Sequence, residues 1–211
     1  FFLGLTFILS LAAFFYLQKF ILQDMPKISE IQSLFEPPNG LLFHPTRIFD
    51  RSGKQLLFTF SNPYIKNVQY YRVSSQTNLS LPKWFITALI EQEDPNFWKH
   101  SGYLIDWTSF TNPTISRTLQ EKLLEKYVLD NNNNSLKRLL QRYILASQIT
   151  TIYGRERIIE WYANNSYYGR LSTGIDAAAQ TYFIKKPYQL NLAESALLVA
   201  LIDSPNDNPY D

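Results

Sequence analysis

The chain has 211 residues, of which 45% are apolar and 18% are charged, and its formal net charge is +2. This near balance disfavours a nucleic-acid partner, because proteins that bind nucleic acids usually carry a clear basic excess. There is no cysteine, and the only histidines are His44 and His100, which excludes disulfides and thiolate metal sites and disfavours a zinc site. The aromatic fraction of 16% is typical of a protein with an interface or a membrane-facing surface.

An apolar stretch opens the chain and predicts a membrane anchor over residues 1–23. Residues 1–17 carry no charge. A helix over the whole stretch measures about 34 Å at roughly 1.5 Å per residue, which is enough to cross the core of a bilayer. A signal peptide is the alternative, and it is disfavoured because the stretch lacks a basic start and a small-residue cleavage site.

Residues 24–79 predict a juxtamembrane linker that contains a β-hairpin. Residues 24–45 are rich in proline and are predicted to be mostly irregular. In the sequence TRIFDRSGKQLLFTF, two apolar stretches then flank the turn sequence DRSG at residues 50–53. This pattern is typical of two antiparallel strands joined by a short turn.

From Ser80 onward the apolar spacing becomes helical, and residues 80–211 predict a mainly helical domain. Ser80 can cap the first helix of this domain. Asn191, with Glu194 three residues later, forms the capping-box pattern at the start of the last helix. The predicted helices cover residues 81–93, 114–127, 155–164, 174–183 and 191–203, with a further one that follows Ser135.

A motif of chemically active residues follows the first of these helices. Residues 93–102 read EDPNFWKHSG and fit the spaced pattern Glu-Asp-x-x-Phe-x-x-His-x-Gly. Paired acids at a helix end are usually solvated, so this motif alone decides little. Further spaced elements lie in the C-terminal third, namely Glu160-x-Tyr162-x-Asn164, Tyr168-Gly169, GIDAAAQ at residues 174–180, Leu192-Ala193-Glu194 and Asn208-Pro209.

Together these motifs resemble those of the peptidoglycan glycosyltransferases, glycosyltransferase family 51, over roughly residues 40–211. The family occurs as monofunctional enzymes and as the N-terminal half of class A penicillin-binding proteins, in which a similar hairpin follows the anchor. The resemblance implies a mainly α, lysozyme-like domain, preceded by the small hairpin and by one N-terminal transmembrane helix.

The resemblance also implies a reaction and the residues that perform it. In the family, a glutamate of the first motif takes a proton from the acceptor's sugar hydroxyl, whose oxygen attacks the donor's anomeric carbon while a lipid pyrophosphate leaves. Glu93 is then the candidate base, here a vestigial one; Asp94 and His100 would organise its loop, and Arg155 or Arg138 would face phosphate. The substrate-binding candidates are Asp94, Phe97, His100, Thr114, Arg138, Arg142, Arg155, Glu160 and Asn164. No cofactor is implied, apart from a divalent cation if the domain is active.

The second motif of the family is largely lost. It normally reads Gly-Gly-Ser-Thr-hydrophobic-Thr-Gln-Gln-Leu, whereas residues 111–119 read TNPTISRTL. Only Thr114, Ile115 and Leu119 stand in place, and both glycines and both glutamines are absent. The stretch between His100 and Thr114 is also about half the length usual in the family. Little chain is left to form that side of the cleft.

The third motif departs at the residue that matters most for catalysis. The family pattern is Arg-Lys-x-x-Glu, and the ungapped register places Arg138, Leu139 and Arg142 at its three defined positions. A register shift of one residue would put Gln141 in place of the second catalytic glutamate. Neither residue is a carboxylate, and an arginine reverses the charge of the position.

These departures favour a catalytically degenerate domain that serves as a structural or accessory subunit of a membrane complex. Two alternatives stay open: an active glycosyltransferase that polymerises lipid-linked disaccharide, and a non-catalytic domain that binds lipid pyrophosphate through Arg117 and Arg142. The expected partners are the lipid bilayer and other membrane proteins, with the lipid-linked precursor under either alternative. The resemblance implies a single-pass protein of the bacterial cytoplasmic membrane with its domain on the extracytoplasmic side.

Overall fold

The computed structural model describes residues 2–37, 46–60, 67–74, 78–105, 107–112, 115, 117–129 and 135–207, without the side chains of residues 2–5, 8, 107 and 109. The helices of these residues are α1 (Phe2–Leu22), α2 (Ile28–Phe35), α3 (Lys83–Glu93), α4 (Trp107–Thr111), α5 (Leu119–Tyr127), α6 (Leu136–Tyr153), α7 (Arg155–Asn165), α8 (Ile175–Phe183) and α9 (Leu192–Asp203). The strands are β1 (Thr46–Phe49) and β2 (Leu56–Phe60). The prediction of a mainly helical protein with a small hairpin is confirmed.

Helices α2, α3 and α5 to α9 surround a shared apolar core. Helix α3 packs on α9, α5 on α6, and α7 on both α6 and α8. Residues from the predicted linker also enter this core, because Ile31, Phe35 and Tyr71 are buried in it. The largest fully buried side chains include Trp161, Tyr71, Tyr168, Phe35, Phe85 and Phe97. The division of the chain at residues 23 and 79 stays a prediction.

The predicted anchor is a helix, α1, and its described apolar side chains are mostly exposed, with Phe7, Leu9 and Phe14 among them. Within the part of the chain whose side chains are described, no helix is long and apolar enough to cross a membrane. The membrane-spanning role of residues 1–23 therefore stays a prediction.

The end of α1 is fastened to α6 by a glutamine amide. Gln141 Nε2 donates hydrogen bonds to the main-chain oxygens of Ile21 at 2.7 Å and Gln23 at 2.9 Å. The last carbonyl groups of a helix have no partner within the helix, so this amide satisfies two acceptors that would otherwise need water. Arg138 Nη1 donates to Gln141 Oε1 at 3.1 Å and thereby fixes the orientation of the amide.

The hairpin confirms the predicted pairing of β1 with β2. Its turn is organised by Asp50, which accepts hydrogen bonds from the Ser52 hydroxyl and from the main-chain N–H groups of Lys54 and Gln55. These bonds, that of Ser52 first, lower the pKa of Asp50 to about 2. The large apolar side chains of both strands are exposed: Ile48, Phe49, Leu56, Leu57, Phe58 and Phe60.

One predicted helix cap and one predicted helix start were wrong. Helix α3 begins at Lys83, two residues after the predicted start, and its N-cap is Pro82 rather than Ser80, because the main chain next to Ser80 pairs with Arg72 and is held extended. Helix α5 begins at Leu119 rather than at residue 114, because the Thr118 side chain caps it by accepting a hydrogen bond from Glu121 N. The other predicted helices agree with α6, α7, α8 and α9 to within one or two residues.

Candidate active site

Glu93, the candidate base, is the last residue of α3 and is buried. Its Oε2 atom accepts hydrogen bonds from Lys122 Nζ at 2.7 Å and from the Tyr162 hydroxyl at 3.1 Å. Lys122 Nζ also donates to the main-chain oxygen of Glu93 at 3.1 Å. Within the described part of the chain, the buried Oε1 atom accepts no hydrogen bond. The carboxylate is thus held on one side and left with one acceptor atom unused.

Tyr162 is a permanent donor to Glu93. Burial, followed by the nearby Glu93 carboxylate, raises the pKa of Tyr162 well above its ordinary value of 10.0. A buried phenolate beside a carboxylate would place two negative charges together, so the phenol keeps its hydrogen and donates it. The hydroxyl therefore helps to hold Glu93 at any pH at which the protein is folded.

Asp94 and His100 form a hydrogen-bond network in the loop after Glu93. Asp94 Oδ2 lies 2.9 Å from His100 Nε2 and accepts a second hydrogen bond from Leu119 N at 3.0 Å. Gly102 N donates to His100 Nδ1 at 3.0 Å. Nδ1 is therefore the acceptor nitrogen of the ring, and Nε2 carries the hydrogen that is donated to Asp94. This network ties the loop to the start of α5.

Arg155 supports this loop from α7. Its Nε atom donates to the main-chain oxygen of Phe97 at 3.1 Å, and Nη2 donates to that of His100. Phe97 itself is fully buried, and its ring meets those of Trp98 and His100 edge-on. Arg155, predicted to face phosphate, thus faces main-chain carbonyl groups, and Phe97 belongs to the core.

Arg142, which the ungapped register aligns with the second glutamate of the family, is paired with two carboxylates of α5. Its Nε lies 3.6 Å from Glu121 Oε2, and its Nη1 lies 3.4 Å from Glu125 Oε2. Nη2 donates to the main-chain oxygen of Ile115 at 3.2 Å. The Arg142 side chain is only 5% exposed, and that of Glu121 is fully buried. The guanidinium is enclosed in an ion-pair cluster.

Glu121 connects the ion-pair cluster of Arg142 to the segment that stands in place of the family's second motif. It accepts hydrogen bonds from the main-chain N–H groups of Leu104 and Arg117, each at 3.2 Å. Burial raises the pKa of Glu121 above its ordinary value of 4.5, whereas these hydrogen bonds and Arg142 act in the opposite direction. The two main-chain donors and the Arg142 guanidinium thus act together in favour of the charged form of this buried carboxylate.

Two lysines near Glu93 were missed in the sequence. Lys122 contacts Glu93 directly, and Lys126 lies one helical turn further along α5. Burial lowers the pKa of Lys126, and the nearby charges of Glu93 and Asp203 raise it. The only sequence signal was their spacing of four residues on a predicted helix, which places both on one face. Among the described residues, Lys122 and Lys126 are thus two positively charged side chains that interact with Glu93.

Glu160 and Asn164 lie on another face of α7 than Tyr162 and hold an extended segment. Asn164 Oδ1 accepts from Tyr71 N at 2.9 Å, and its Nδ2 donates to Tyr71 O at 2.7 Å. Glu160 Oε1 accepts from Val73 N at 3.0 Å. Both predicted substrate-binding residues are thus occupied by main-chain groups. Their role toward a substrate, like that of the other candidates, stays a prediction, and Thr114 lies outside the described residues.

Replacement of Asn164 by alanine should free the middle of this segment. The loss of two hydrogen bonds to buried main-chain groups costs about 1–3 kcal/mol for each unsatisfied group. We expect the amide hydrogen of Tyr71 to exchange with solvent at least about ten-fold faster, since each 1.4 kcal/mol of local stability corresponds to a factor of ten. Hydrogen exchange followed by NMR measures this. The amide of Gln69, which is bound to Asp176 at 2.9 Å, is the internal reference, and equal acceleration of both would contradict the prediction.

Among the described residues, no group of three or more histidine, aspartate or glutamate side chains could hold a metal ion. The buried acids Glu121 and Glu93 are instead paired with Arg142 and Lys122.

Comparison with known proteins agrees with the motifs. The family model described as Transglycosylase matches residues 62–211. Penicillin-binding protein 1A of Rickettsia felis is 31% identical over 200 residues, which cover 89% of this chain and 23% of the relative. Penicillin-binding protein 1A of Pseudomonas aeruginosa is 33% identical over 192 residues, which cover 86% of this chain and 22% of the relative. That of Aquifex aeolicus is 33% identical over 139 residues, 62% of this chain and 19% of the relative.

The chain therefore spans about a quarter or less of the length of these curated relatives. The part that they share is the part that carries Glu93, Asp94 and His100 and the helices around them. A family model that covers residues 62–211, together with spaced motifs in the matching order, establishes the family. The chain belongs to the transglycosylase family, the peptidoglycan glycosyltransferases of glycosyltransferase family 51.

Proposed function

We propose that this chain is a catalytically degenerate transglycosylase domain that serves as a structural or accessory subunit of a membrane complex. The observation that carries the proposal is the enclosure of Arg142. The position of the second glutamate holds a cation that two carboxylates neutralise, at 3.6 Å from Glu121 and 3.4 Å from Glu125. An arginine enclosed by two carboxylates contributes neither a base nor an unpaired positive charge to a reaction.

The chemistry of the family explains why this enclosure matters. Transfer needs a carboxylate within reach of the acceptor hydroxyl, and it needs cations that meet the charge developing on the leaving pyrophosphate. Glu93 is present, but Lys122 and Tyr162 hold its Oε2 atom. Arg155 is used by the main chain of its loop, and Arg138 by Gln141. Each candidate group has thus acquired a structural partner.

The proposed location is the bacterial cytoplasmic membrane, with α1 as the anchor and the helical body on the extracytoplasmic side. The exposed apolar side chains of α1, among them Phe7 and Leu9, support this placement. The attachment of Gln141 to the end of α1 would hold the body at a fixed angle to the anchor. A rigid joint of this kind suits a subunit whose task is to position other chains, and the proposed partners are the lipid bilayer and other membrane proteins.

An active polymerase is the second candidate, and specific observations favour it. Glu93 Oε1 is buried without a hydrogen-bond partner among the described residues, so this atom would not have to give up a bond in order to receive a sugar hydroxyl. The network of Asp94, His100 and Gly102 that shapes the loop is also complete. The third candidate is a domain that binds lipid pyrophosphate. For this binding, Lys122 and Lys126 beside Glu93 are better placed than Arg142, whose guanidinium is enclosed in an ion-pair cluster.

A polymerisation assay decides between the first two candidates. With lipid-linked disaccharide in liposomes, the unmodified protein should form no glycan chains above background, because general base catalysis and leaving-group stabilisation each contribute orders of magnitude to the rate. Gel electrophoresis of labelled product is the readout, with an active member of the family as the positive control. Glycan chains that are made by the unmodified protein and lost in Glu93→Gln would establish the polymerase instead. If neither protein is active, binding of the labelled precursor in detergent to the immobilised protein, above a protein-free control, identifies the lipid-binding alternative.

A further inference from the structure

We propose that Lys122 masks Glu93, so that the candidate base is inaccessible until the ammonium group of Lys122 moves away. The proposal rests on the proposed function only in taking Glu93 as the base position of the site. It concerns whether Glu93 can be reached, not whether transfer occurs, and it assigns to Lys122 a positioning role that the motifs of the family did not indicate.

The contact geometry is the first support. Lys122 Nζ bonds at once to the carboxylate of Glu93, at 2.7 Å, and to the main-chain oxygen of the same residue, at 3.1 Å. Glu93 ends α3, so its carbonyl group lacks a partner within the helix, and a cation there also interacts favourably with the helix dipole. One ammonium group therefore fixes both the side chain and the end of the helix.

Burial shows from which side Glu93 is covered. The Glu93 side chain is fully buried, whereas that of Lys122 is 30% exposed. The other contact of the carboxylate, Tyr162, is itself buried and belongs to the core. Of the two groups bound to Oε2, Lys122 is therefore the one that reaches solvent. Its removal opens a path to Glu93, whereas removal of the Tyr162 hydroxyl does not.

The chemical consequence concerns the free oxygen. A general base must come within about 2.6–3.2 Å of the hydroxyl from which it takes a proton. Glu93 Oε1 has no hydrogen-bond partner among the described residues, yet it is buried. A hydroxyl can meet it only after the cover is displaced. While Lys122 covers Glu93, the carboxylate cannot take a proton from a hydroxyl, although its Oε1 atom is still able to accept one.

The neighbouring lysine provides a matched control. Lys126 lies one turn along the same face of α5 and interacts with the charge of Glu93, whereas of these two lysines it is Lys122 that donates hydrogen bonds to Glu93. If only the local positive charge protected Glu93, the loss of either lysine would have a similar effect. If cover by direct contact protects it, only Lys122 matters.

Carboxyl labelling tests the proposal with the full chain in detergent. A water-soluble carbodiimide activates a carboxyl group, and glycine ethyl ester then forms an amide with release of the urea. Trypsin cleavage at Lys83 and Lys99 places Glu93 and the exposed Glu91 in one peptide, so fragment ions give the labelling of Glu93 relative to that of Glu91. Because polymerisation is not measured, the outcome is independent of the assay that tests the proposed function.

In the unmodified protein, Glu93 should label at about a tenth of the extent of Glu91 or less, since reaction requires local opening. Lys122→Met should raise this ratio about ten-fold or more, because it leaves the buried carboxylate unpaired and uncovered. Lys122→Arg should restore protection, and Lys126→Met should leave it unchanged. Lys122→Gln should behave like Lys122→Met, and it serves in place of that variant if the thermal unfolding curve shows that Lys122→Met is not folded.

Three results would overturn the proposal. The first is equal labelling of Glu93 and Glu91 in the unmodified protein. The second is continued protection in a folded Lys122→Met or Lys122→Gln variant. The third is loss of protection in Lys126→Met to the same extent as in Lys122→Met, which would show that overall charge and not contact covers Glu93.

Discussion

Alanine in place of Gly102 should lower the free energy of unfolding by about 3–5 kcal/mol, from backbone strain and from overpacking together. Gly102 has a φ of +104°, a conformation that side-chain-bearing residues rarely adopt. A Cβ atom there would also meet the main-chain oxygen of Ala146 and lie 2.5 Å from Thr150 Oγ1 and 2.8 Å from the main-chain carbon of Ala146. Neither α6 nor the loop can move without losing other contacts.

The effect should also reach the candidate site. Gly102 N donates to His100, and the main-chain oxygen of Gly102 accepts from the Thr118 hydroxyl at 2.7 Å. A shift of the loop therefore disturbs the Asp94–His100 pair and the cap of α5 at once. We expect the His100 ring resonances to change in the alanine variant, as NMR of the folded protein at low temperature would show.

Urea unfolding of Gly102→Ala and Gly53→Ala separates the two causes of the loss. Gly53, in the hairpin turn, also has a positive φ of +71°, but among the described residues a Cβ atom there meets nothing within 4 Å. Gly53→Ala should therefore show the conformational cost alone, about 1–2 kcal/mol. Equal losses at the two positions would contradict the claim that close packing against α6 dominates at Gly102.

The parts of the fold that the sequence predicted are those with short-range signals. The hairpin follows from DRSG between two apolar stretches. Helix α6 follows from its apolar spacing and from Ser135, whose side chain accepts a hydrogen bond from Arg138 N. The Asn191 and Glu194 capping box at the start of α9 is confirmed on both of its hydrogen bonds. In each case, residues within a few positions of each other determine the conformation.

The contacts that define the candidate site join residues far apart in the sequence. Lys122 lies 29 positions from Glu93, and Tyr162 lies 69 positions from it. The spacing of Lys122 on a helical face predicted a solvated side chain as readily as a contact. Only the packing of α5 and α7 against the end of α3 places these donors on one carboxylate oxygen, and no local pattern encodes that packing.

Arg142 is a second residue whose contacts could not be predicted from the sequence. Alignment with the family motif predicted that a cation replaces the second glutamate. Its partners, Glu121 and Glu125, come from α5, whose start was mispredicted by five residues because Thr118 and not Thr114 precedes the first turn. Because the predicted start of α5 was wrong, the sequence did not indicate which face of α5 meets α6, and the lipid-binding alternative took Arg142 as a cation near the cleft.

Arg142→Met should lower the free energy of unfolding by about 3–5 kcal/mol at pH 7, because removal of one partner leaves Glu121 buried and unpaired. The loss should depend on pH in a defined direction. Burial raises the pKa of Glu121 above 4.5, and the charge of Arg142 counteracts this rise. A carboxyl group with a raised pKa favours the folded state fully below 4.5 and loses that contribution as the pH rises through its folded value. Without Arg142 the folded pKa of Glu121 is higher still.

The difference in stability between Arg142→Met and the unmodified protein should thus be largest near pH 7 and shrink as the pH falls toward 4.5. Urea unfolding at several pH values measures it. The control is the double variant Arg142→Met with Glu121→Gln, in which the buried charge of Glu121 is removed as well and a glutamine oxygen can still accept from Leu104 N or Arg117 N. It should recover all but about 1–2 kcal/mol of the loss. A double variant as unstable as Arg142→Met alone would mean that Arg142 stabilises the protein through packing and through its bond to Ile115, and not by neutralising Glu121.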